Sequence, residues 1–178
     1  MNGKFPNSFA SLKKLKGIGD YTAAAIASFS YNEITPVVDG NVYRVLSRVF
    51  NIAIPIDSSQ GKKLFYELAG ELISKENPGE FNQSIMEFGA LQCTPVKPNC
   101  TDCVLSEKCL ALSNNTITER PVKAKKTKMM GKKGAKKLKE SDKPKAAGSP
   151  RGTFGVKGKV ANTLFLFIGF IIPTVHGF

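Results

Sequence analysis

The sequence predicts an all-α fold for the first 120 residues of this 178-residue chain. Apolar residues recur at helical spacing, most clearly at Val42, Val45, Leu46 and Val49. Glycine and proline separate the helical stretches, and no stretch alternates apolar and polar residues convincingly as a strand does. The length is sufficient for one ordinary domain.

The first two helices are predicted on either side of a glycine-rich hairpin. Ser8–Leu15 is the first helix candidate, and it ends at Lys16-Gly17-Ile18-Gly19. Asp20 is the predicted N-cap of the second helix, which covers Tyr21–Ser30 and is rich in alanine. Because alanine is small, we expect a neighbouring helix or backbone to approach this helix closely.

Asp39 is predicted at or near the N-cap of a third helix. The stripe from Val42 to Val49 gives this helix one apolar face, and Arg44 and Arg48 lie off that stripe. An aspartate before an apolar helix is most often simply a cap. The same position also stabilises an ionised carboxylate. A fixed negative charge is what an oxocarbenium-like sugar cation requires when a glycosidic bond breaks.

Two further helices complete the predicted helical body. Pro55-Ile56-Asp57-Ser58 begins the fourth helix, Asn77-Pro78-Gly79 closes it, and Phe81–Leu91 forms the fifth. The positions predicted to be buried in the fourth helix are Leu64, Leu68, Leu72 and Ile73. We therefore place a helical domain at residues 1–92, followed directly by a cysteine-rich loop at residues 93–120.

The positive charge of the chain is concentrated after this body. The formal net charge is +12, yet residues 1–120 hold 12 Lys/Arg and 12 Asp/Glu, whereas residues 121–159 hold 14 Lys/Arg and only two acidic residues. This second segment is rich in Lys, Ala, Gly, Ser and Pro, and we expect it to be a disordered linker. A basic segment favours polyanion partners such as nucleic acid.

All four cysteines lie in one short stretch, Cys93-x6-Cys100-x2-Cys103-x5-Cys109. Disulfides in secreted domains are spread through the chain, so this clustering indicates instead a metal site in a reducing cytoplasm. Structural zinc sites usually have two close cysteine pairs separated by a longer insert, whereas only one CxxC pair occurs here. The spacing favours a [4Fe-4S] cluster over zinc.

The hairpin is a candidate anion site. Gly17 and Gly19 let the backbone turn tightly and expose N–H groups, and the N-terminus of the following helix attracts an anion. Such a hairpin can hold a DNA phosphate without reading a base. On its own, a Gly-x-Gly turn between two helices is more often only a turn.

The three motifs in this order resemble the helix-hairpin-helix DNA glycosylases of the endonuclease III superfamily. They are the Gly-x-Gly hairpin, Val38-Asp39-Gly40-Asn41-Val42 and the cysteine loop. The resemblance covers about Asn2 to Lys128, and within the superfamily it is to the MutY-type adenine DNA glycosylases. Tyr21 stands where bifunctional members carry a lysine nucleophile, so Schiff-base lyase chemistry lacks its amine. The resemblance therefore implies a monofunctional enzyme.

This resemblance implies a role in base-excision repair. Adenine mispaired with guanine or 8-oxoguanine would be flipped out of double-stranded DNA, and its N-glycosidic bond would be hydrolysed. Asp39 would stabilise the sugar cation, with Tyr21 and Asn41 as supporting catalytic residues. The residues implied to bind DNA are Gly17, Ile18 and Gly19, and those implied to bind the [4Fe-4S] cluster are Cys93, Cys100, Cys103 and Cys109.

The general acid of this family is a glutamate upstream of the hairpin, and no residue of this chain can be assigned that role. We therefore expect a fragment that lacks the N-terminal helices and the 8-oxoguanine-recognition domain and has little or no glycosylase activity alone. The alternative is a non-catalytic DNA-binding iron-sulfur module. In either case we expect a cytoplasmic monomer of the bacterial nucleoid that binds double-stranded DNA and takes no small-molecule substrate.

The last segment, residues 160–178, is apolar and carries no Asp, Glu, Lys or Arg. A membrane span needs about 20 mainly apolar residues, so the length is marginal. Asn162, Pro173 and His176 weaken it further. We expect an apolar tail of unknown role rather than a membrane anchor.

Overall fold

The fold consists of six α-helices within residues 5–124, which are the residues that the computed structural model describes. The helices are α1 (Phe9–Leu12), α2 (Asp20–Tyr31), α3 (Gly40–Val49), α4 (Ser59–Leu72), α5 (Pro78–Leu91) and α6 (Leu110–Ser113). Two 3-10 turns, Ser106–Lys108 and Ile117–Glu119, lie on either side of α6. No strand occurs in this part of the chain, so the all-α prediction is confirmed.

Two sequence predictions fall largely or wholly outside the described residues. They concern the Lys-rich segment at residues 121–159, of which the structure describes only the first four residues, and the apolar tail at residues 160–178. Between residues 5 and 124, no helix is long and apolar enough to cross a bilayer.

Helices α1 and α2 pack against each other around a small apolar core of their own. Leu12, Ala23 and Ala27 form its buried centre. Helix α1 is shorter than predicted, because the chain turns from Lys13 onward instead of continuing the helix. The predicted N-cap of α2 is wrong: Gly19 is the cap, and Asp20 is the first helical residue, where its carboxylate forms a salt bridge with Lys13.

Helix α3 lies at the centre of the main core. The predicted stripe is confirmed, since Val42, Val45, Leu46 and Val49 are all buried, and it packs against residues of α4 and α5 and against Leu105 of the cysteine loop. The other face of α3 is also covered, because the cysteine loop folds over it. Arg44 and Arg48 were predicted off the buried face, yet they are only 8% and 2% exposed.

Helices α4 and α5 differ from their predicted forms at their faces and ends. Ser58 caps α4 by accepting a hydrogen bond from the Gly61 N–H (2.9 Å). The buried centre of α4 is Phe65, Ala69 and Leu72, while Leu64 and Leu68 are only partly buried. Helix α4 ends before Ile73, and Asn77-Pro78-Gly79 begins α5 rather than closing α4. Proline suits that first helical position, where its missing N–H costs nothing.

A glycine lets α5 approach the first turn of α3 very closely. A Cβ atom added at Gly89 would lie 2.7 Å from the Asn41 Cβ and 3.0 Å from the Asn41 carbonyl oxygen. Any larger residue at this position would push the two helices apart. This contact fixes α5, and the cysteine loop that follows it, against the end of α3 that carries Asp39.

Candidate functional site

Asp39 is held by three N–H groups at the beginning of α3. Its Oδ1 atom accepts hydrogen bonds from the backbone N–H groups of Asn41 and Val42, both at 2.8 Å. Its Oδ2 atom accepts one from the side-chain Nδ2 of Asn41 at 2.9 Å. These donors and the positive end of the helix dipole stabilise the negative charge of the carboxylate and fix its orientation. The predicted N-cap is therefore confirmed.

Asn41 connects Asp39 to the beginning of the cysteine loop through Arg44. The Arg44 Nη2 donates to the Asn41 Oδ1 (2.7 Å) and to the Gly89 carbonyl (2.6 Å). The Arg44 Nε donates to the Cys93 carbonyl (2.7 Å). A continuous series of hydrogen bonds thus runs from the Asp39 carboxylate to the backbone of the first cysteine. Arg44 therefore positions the side chain of Asn41, and Asn41 in turn positions the carboxylate of Asp39.

The hairpin leaves two of its N–H groups open. Gly17 has a φ of +87°, a left-handed conformation that favours glycine. The N–H of Ile18 donates to the Leu15 carbonyl (3.1 Å), whereas neither the Gly17 nor the Gly19 N–H has an acceptor within residues 5–124. A Cβ added at Gly17 or Gly19 would meet no atom within 4 Å. The open face of the hairpin can therefore be approached closely by an external acceptor.

Tyr21 does not join Asp39 and Asn41 in one hydrogen-bonded group. It is half-exposed and lines a cavity of about 460 Å³ between the α1–α2 hairpin and α3 and α4. Val38, the residue before Asp39, and Tyr43 line the same cavity. Its other polar lining residues are Lys13, Asp20, Lys62, Lys63 and Tyr66. The cavity combines aromatic rings with an excess of positive charge.

The four cysteines line a single cavity beneath α3. Cys93, Cys100, Cys103 and Cys109 all contribute to its wall and are half-buried free thiols. Burial raises the pKa of the Cys103 and Cys109 thiols, and the other cysteines raise it further because neighbouring thiolates repel one another. Within the described part of the chain, no three His, Cys, Asp or Glu side chains are close enough together to hold one metal ion.

Arg48 joins the two ends of the cysteine loop. Its Nη1 donates to the Cys93 Sγ (3.4 Å) and to the Thr94 carbonyl (2.7 Å), and its Nη2 donates to the Pro95 carbonyl (3.1 Å). Its Nε is shared between the carbonyls of Ile117 and Arg120, both at 3.2 Å. One buried side chain therefore fixes the beginning of the loop to the segment that follows α6.

The sequence analysis did not identify Arg44 or Arg48 as functional residues. The available signal was their spacing, since residues four apart share one helix face. Two arginines on the same face of an apolar helix, with no acidic residue nearby on that helix after its cap, indicate partners from another part of the chain.

Comparisons with known proteins show which DNA-binding motif and which solved structures this chain resembles. A model of the helix-hairpin-helix motif matches residues 1–29. A solved thermostable thymine-DNA glycosylase is similar, with a TM-score of 0.58 and 30% identity over 64% of this chain and 52% of that one. An endonuclease III solved in a non-covalent complex with DNA has a TM-score of 0.53 and 26% identity, covering 64% and 51%. The helical architecture is therefore similar to that of these two solved proteins.

Several curated proteins that match this chain in sequence are named adenine DNA glycosylases. The adenine DNA glycosylase of Arabidopsis thaliana is 48% identical over 130 residues, which are 70% of this chain and 21% of the relative. The predicted resemblance to adenine DNA glycosylases is thereby confirmed over this part of the chain. The chain spans only 21% to 38% of the length of the first three curated relatives that it matches.

Proposed function

We propose that this chain serves base-excision repair as an adenine-specific DNA glycosylase, which hydrolyses the N-glycosidic bond of adenine mispaired with guanine or 8-oxoguanine. The observation that carries the proposal is the Asp39 carboxylate, fixed by three N–H donors within a chain similar to adenine DNA glycosylases. A carboxylate held in this way needs no reorganisation when positive charge develops beside it.

In this proposal, Asp39 stabilises the sugar cation that forms as the bond to adenine breaks. Asn41 keeps the carboxylate oriented through its 2.9 Å hydrogen bond. Glycosylases extrude their target base from the duplex, and the tyrosine-lined cavity next to Val38 suits a flipped nucleotide. Tyr21 would contact that nucleotide from the hairpin side, and the lysines of the cavity would face its phosphates.

The hairpin would hold the DNA backbone. The open N–H groups of Gly17 and Gly19 and the N-terminus of α2 are suited to one phosphate. Ile18 would contribute mainly by packing against the α1–α2 core, since its N–H is already bonded to Leu15. We propose a monomer that binds double-stranded DNA at this surface, in the cytoplasm and without a small-molecule substrate.

The four cysteines would hold a [4Fe-4S] cluster. The four thiols line one cavity and together could supply four thiolate ligands, and positive charge nearby would favour ionisation of Cys103 and Cys109, whose pKa burial raises. The cysteine spacing, with only one CxxC pair, favours the cluster over a structural zinc ion. When bound, the cluster supplies covalent cross-links for the loop and a one-electron redox centre.

The proposed function is tested by single-turnover release of adenine. Cluster-loaded protein in excess over a duplex with one adenine opposite 8-oxoguanine should release adenine slowly. The reason is that the glutamate that serves as general acid in the family it resembles has no counterpart in this chain. In Asp39→Asn, which keeps a capping side chain, release should fall by about 100-fold or more. A duplex with cytosine opposite 8-oxoguanine is the matched control and should release no base.

The second candidate function is DNA binding without catalysis, which the open N–H groups of the hairpin favour. This function would be established if the cluster-loaded protein bound the duplex with a steep salt dependence, showed no preference for the mismatch and released no adenine.

A further inference from the structure

Arg48 is the largest fully buried side chain of the described residues and is 2% exposed. Its acceptors are four backbone carbonyls and one sulfur, the Cys93 Sγ at 3.4 Å. No carboxylate is among these acceptors. A buried guanidinium charge is costly unless negative charge compensates it. The nearest compensation in these contacts is the thiolate that Cys93 carries when it binds a metal.

Arg48 also contacts a second cysteine of the set. The Cys109 Sγ lies 3.5 Å from the backbone carbonyl of Arg48. The side chain of Arg48 lines the cysteine cavity together with all four thiols. The positive charge is thus located at the wall of the proposed cofactor site, and one N–H group of the guanidinium is directed at a ligand sulfur.

We propose that Arg48 holds the reduction potential of the bound iron-sulfur cluster at a more positive value through its N–H to Cys93 Sγ hydrogen bond. The inference rests on the proposed [4Fe-4S] cofactor. Reduction adds one electron to the cluster and its ligand sulfurs. Hydrogen bonds to those sulfurs and a nearby positive charge stabilise the reduced state more than the oxidised one. The effect is enlarged because the guanidinium is buried, where charges interact more strongly than in water.

A purely structural clamp would require only the carbonyl contacts of Arg48. The potential of the loaded cluster separates the two roles, because cross-linking the loop does not itself change the relative energy of two oxidation states. Lys97 provides the matched control. It is an exposed lysine in the same loop, so Lys97→Gln removes the same formal charge without removing a contact to a cysteine sulfur.

The experiment is protein-film voltammetry on anaerobically reconstituted wild type, Arg48→Gln and Lys97→Gln, each with iron and sulfide counted beforehand. We expect Arg48→Gln to make the reduction potential more negative by about 59 mV or more, which corresponds to at least a tenfold change in the one-electron redox equilibrium. Lys97→Gln should stay close to wild type. An equal potential in loaded Arg48→Gln and wild type would overturn the inference.

A second variant covers a failure of Arg48→Gln to fold or load. Arg48→Lys keeps the charge, but its single ammonium group cannot serve both ends of the loop and the Cys93 sulfur. Its potential should also be more negative than wild type, but by less than in Arg48→Gln because the charge is kept, and a potential equal to wild type would overturn the inference. A wild-type chain that binds one zinc ion instead of iron and sulfide would overturn the proposed cofactor, and the inference with it. If wild type binds the iron-sulfur cluster but the variants have the same reduction potential as wild type, only the inference about Arg48 would be overturned.

Discussion

The hairpin and the cysteine loop are both candidate ligand-binding segments, and they use their backbones in opposite ways. In the hairpin, the N–H groups of Gly17 and Gly19 have no acceptor within residues 5–124. In the cysteine loop, the carbonyls of Cys93, Thr94 and Pro95 are all bonded to arginines of α3. The hairpin therefore leaves backbone N–H groups open to an external acceptor, whereas backbone carbonyls of the loop accept hydrogen bonds from the protein's own side chains.

This difference agrees with what each segment is proposed to hold. A phosphate is bound reversibly and needs donors that remain open, while a metal cluster stays in place and needs ligands fixed by their surroundings. Substitutions in the loop region should therefore affect stability first, and substitutions in the hairpin should affect DNA affinity first. The following changes test that division, in order of decreasing expected effect.

The largest loss in the free energy of unfolding is expected for Arg44→Ala. The substitution leaves the buried carbonyls of Gly89 and Cys93 without their donor and removes the partner of the Asn41 side chain. The free energy of unfolding should fall by about 3 kcal/mol. Urea unfolding followed by far-ultraviolet circular dichroism measures it, with the exposed Lys14→Ala as control. A loss in Arg44→Ala as small as in the control would contradict the proposed role of the arginine network.

A somewhat smaller effect is expected for Gly89→Ala. Its new Cβ would lie 2.7 Å from the Asn41 Cβ, so α5 must move away from α3 at a cost of about 1–3 kcal/mol. Gly70→Ala in α4 is the matched control, because its Cβ would meet only the Pro36 ring at 3.9 Å. The control should be stabilised by about 0.5–1 kcal/mol. Thermal unfolding in which both variants change alike would rule out the close approach as the cause.

Substitutions at the two hairpin glycines should have different effects, with Gly17 affecting stability and Gly19 affecting DNA binding. Gly17→Ala places a side chain at a φ of +87° and should destabilise the chain by about 1 kcal/mol. Gly19 has a φ of −88°, which alanine accepts, and open space around it. Gly19→Ala should therefore cost only about 0.5 kcal/mol, through the poorer N-cap, and weaken duplex binding about fivefold to tenfold, because the methyl group occupies the phosphate approach. Fluorescence anisotropy measures the affinity, and unchanged binding in Gly19→Ala would argue against a phosphate there.

The smallest effect is expected for Lys13→Ala. Lys13 forms a salt bridge with Asp20, but the two side chains are 46% and 75% exposed. Pairs exposed to this degree contribute about 0.5 kcal/mol or less, because water and salt screen them. A loss well above 1 kcal/mol in urea unfolding would show that the hairpin is held by more than its apolar core.

The sequence predicted features that depend on neighbouring residues and missed those that depend on distant ones. The Asp39 cap and the Val42 to Val49 stripe are local patterns, and both are confirmed. The burial of Arg48 was missed because its partners lie far along the chain, with the Ile117 carbonyl 69 residues away. Asp20 was misplaced by one residue because glycine and aspartate both suit an N-cap, and the salt bridge with Lys13 is not a helix signal.

The central claim is the proposal that the chain binds DNA through the hairpin, while the cysteine loop holds a cofactor. The most direct test is a titration of ¹⁵N-labelled, cluster-loaded protein with a duplex containing adenine opposite 8-oxoguanine. We predict that the Gly17 and Gly19 N–H resonances move strongly, while the Ile18 resonance moves less because its N–H is bonded to Leu15. Saturable binding that leaves the Gly17 and Gly19 resonances in place would contradict the claim.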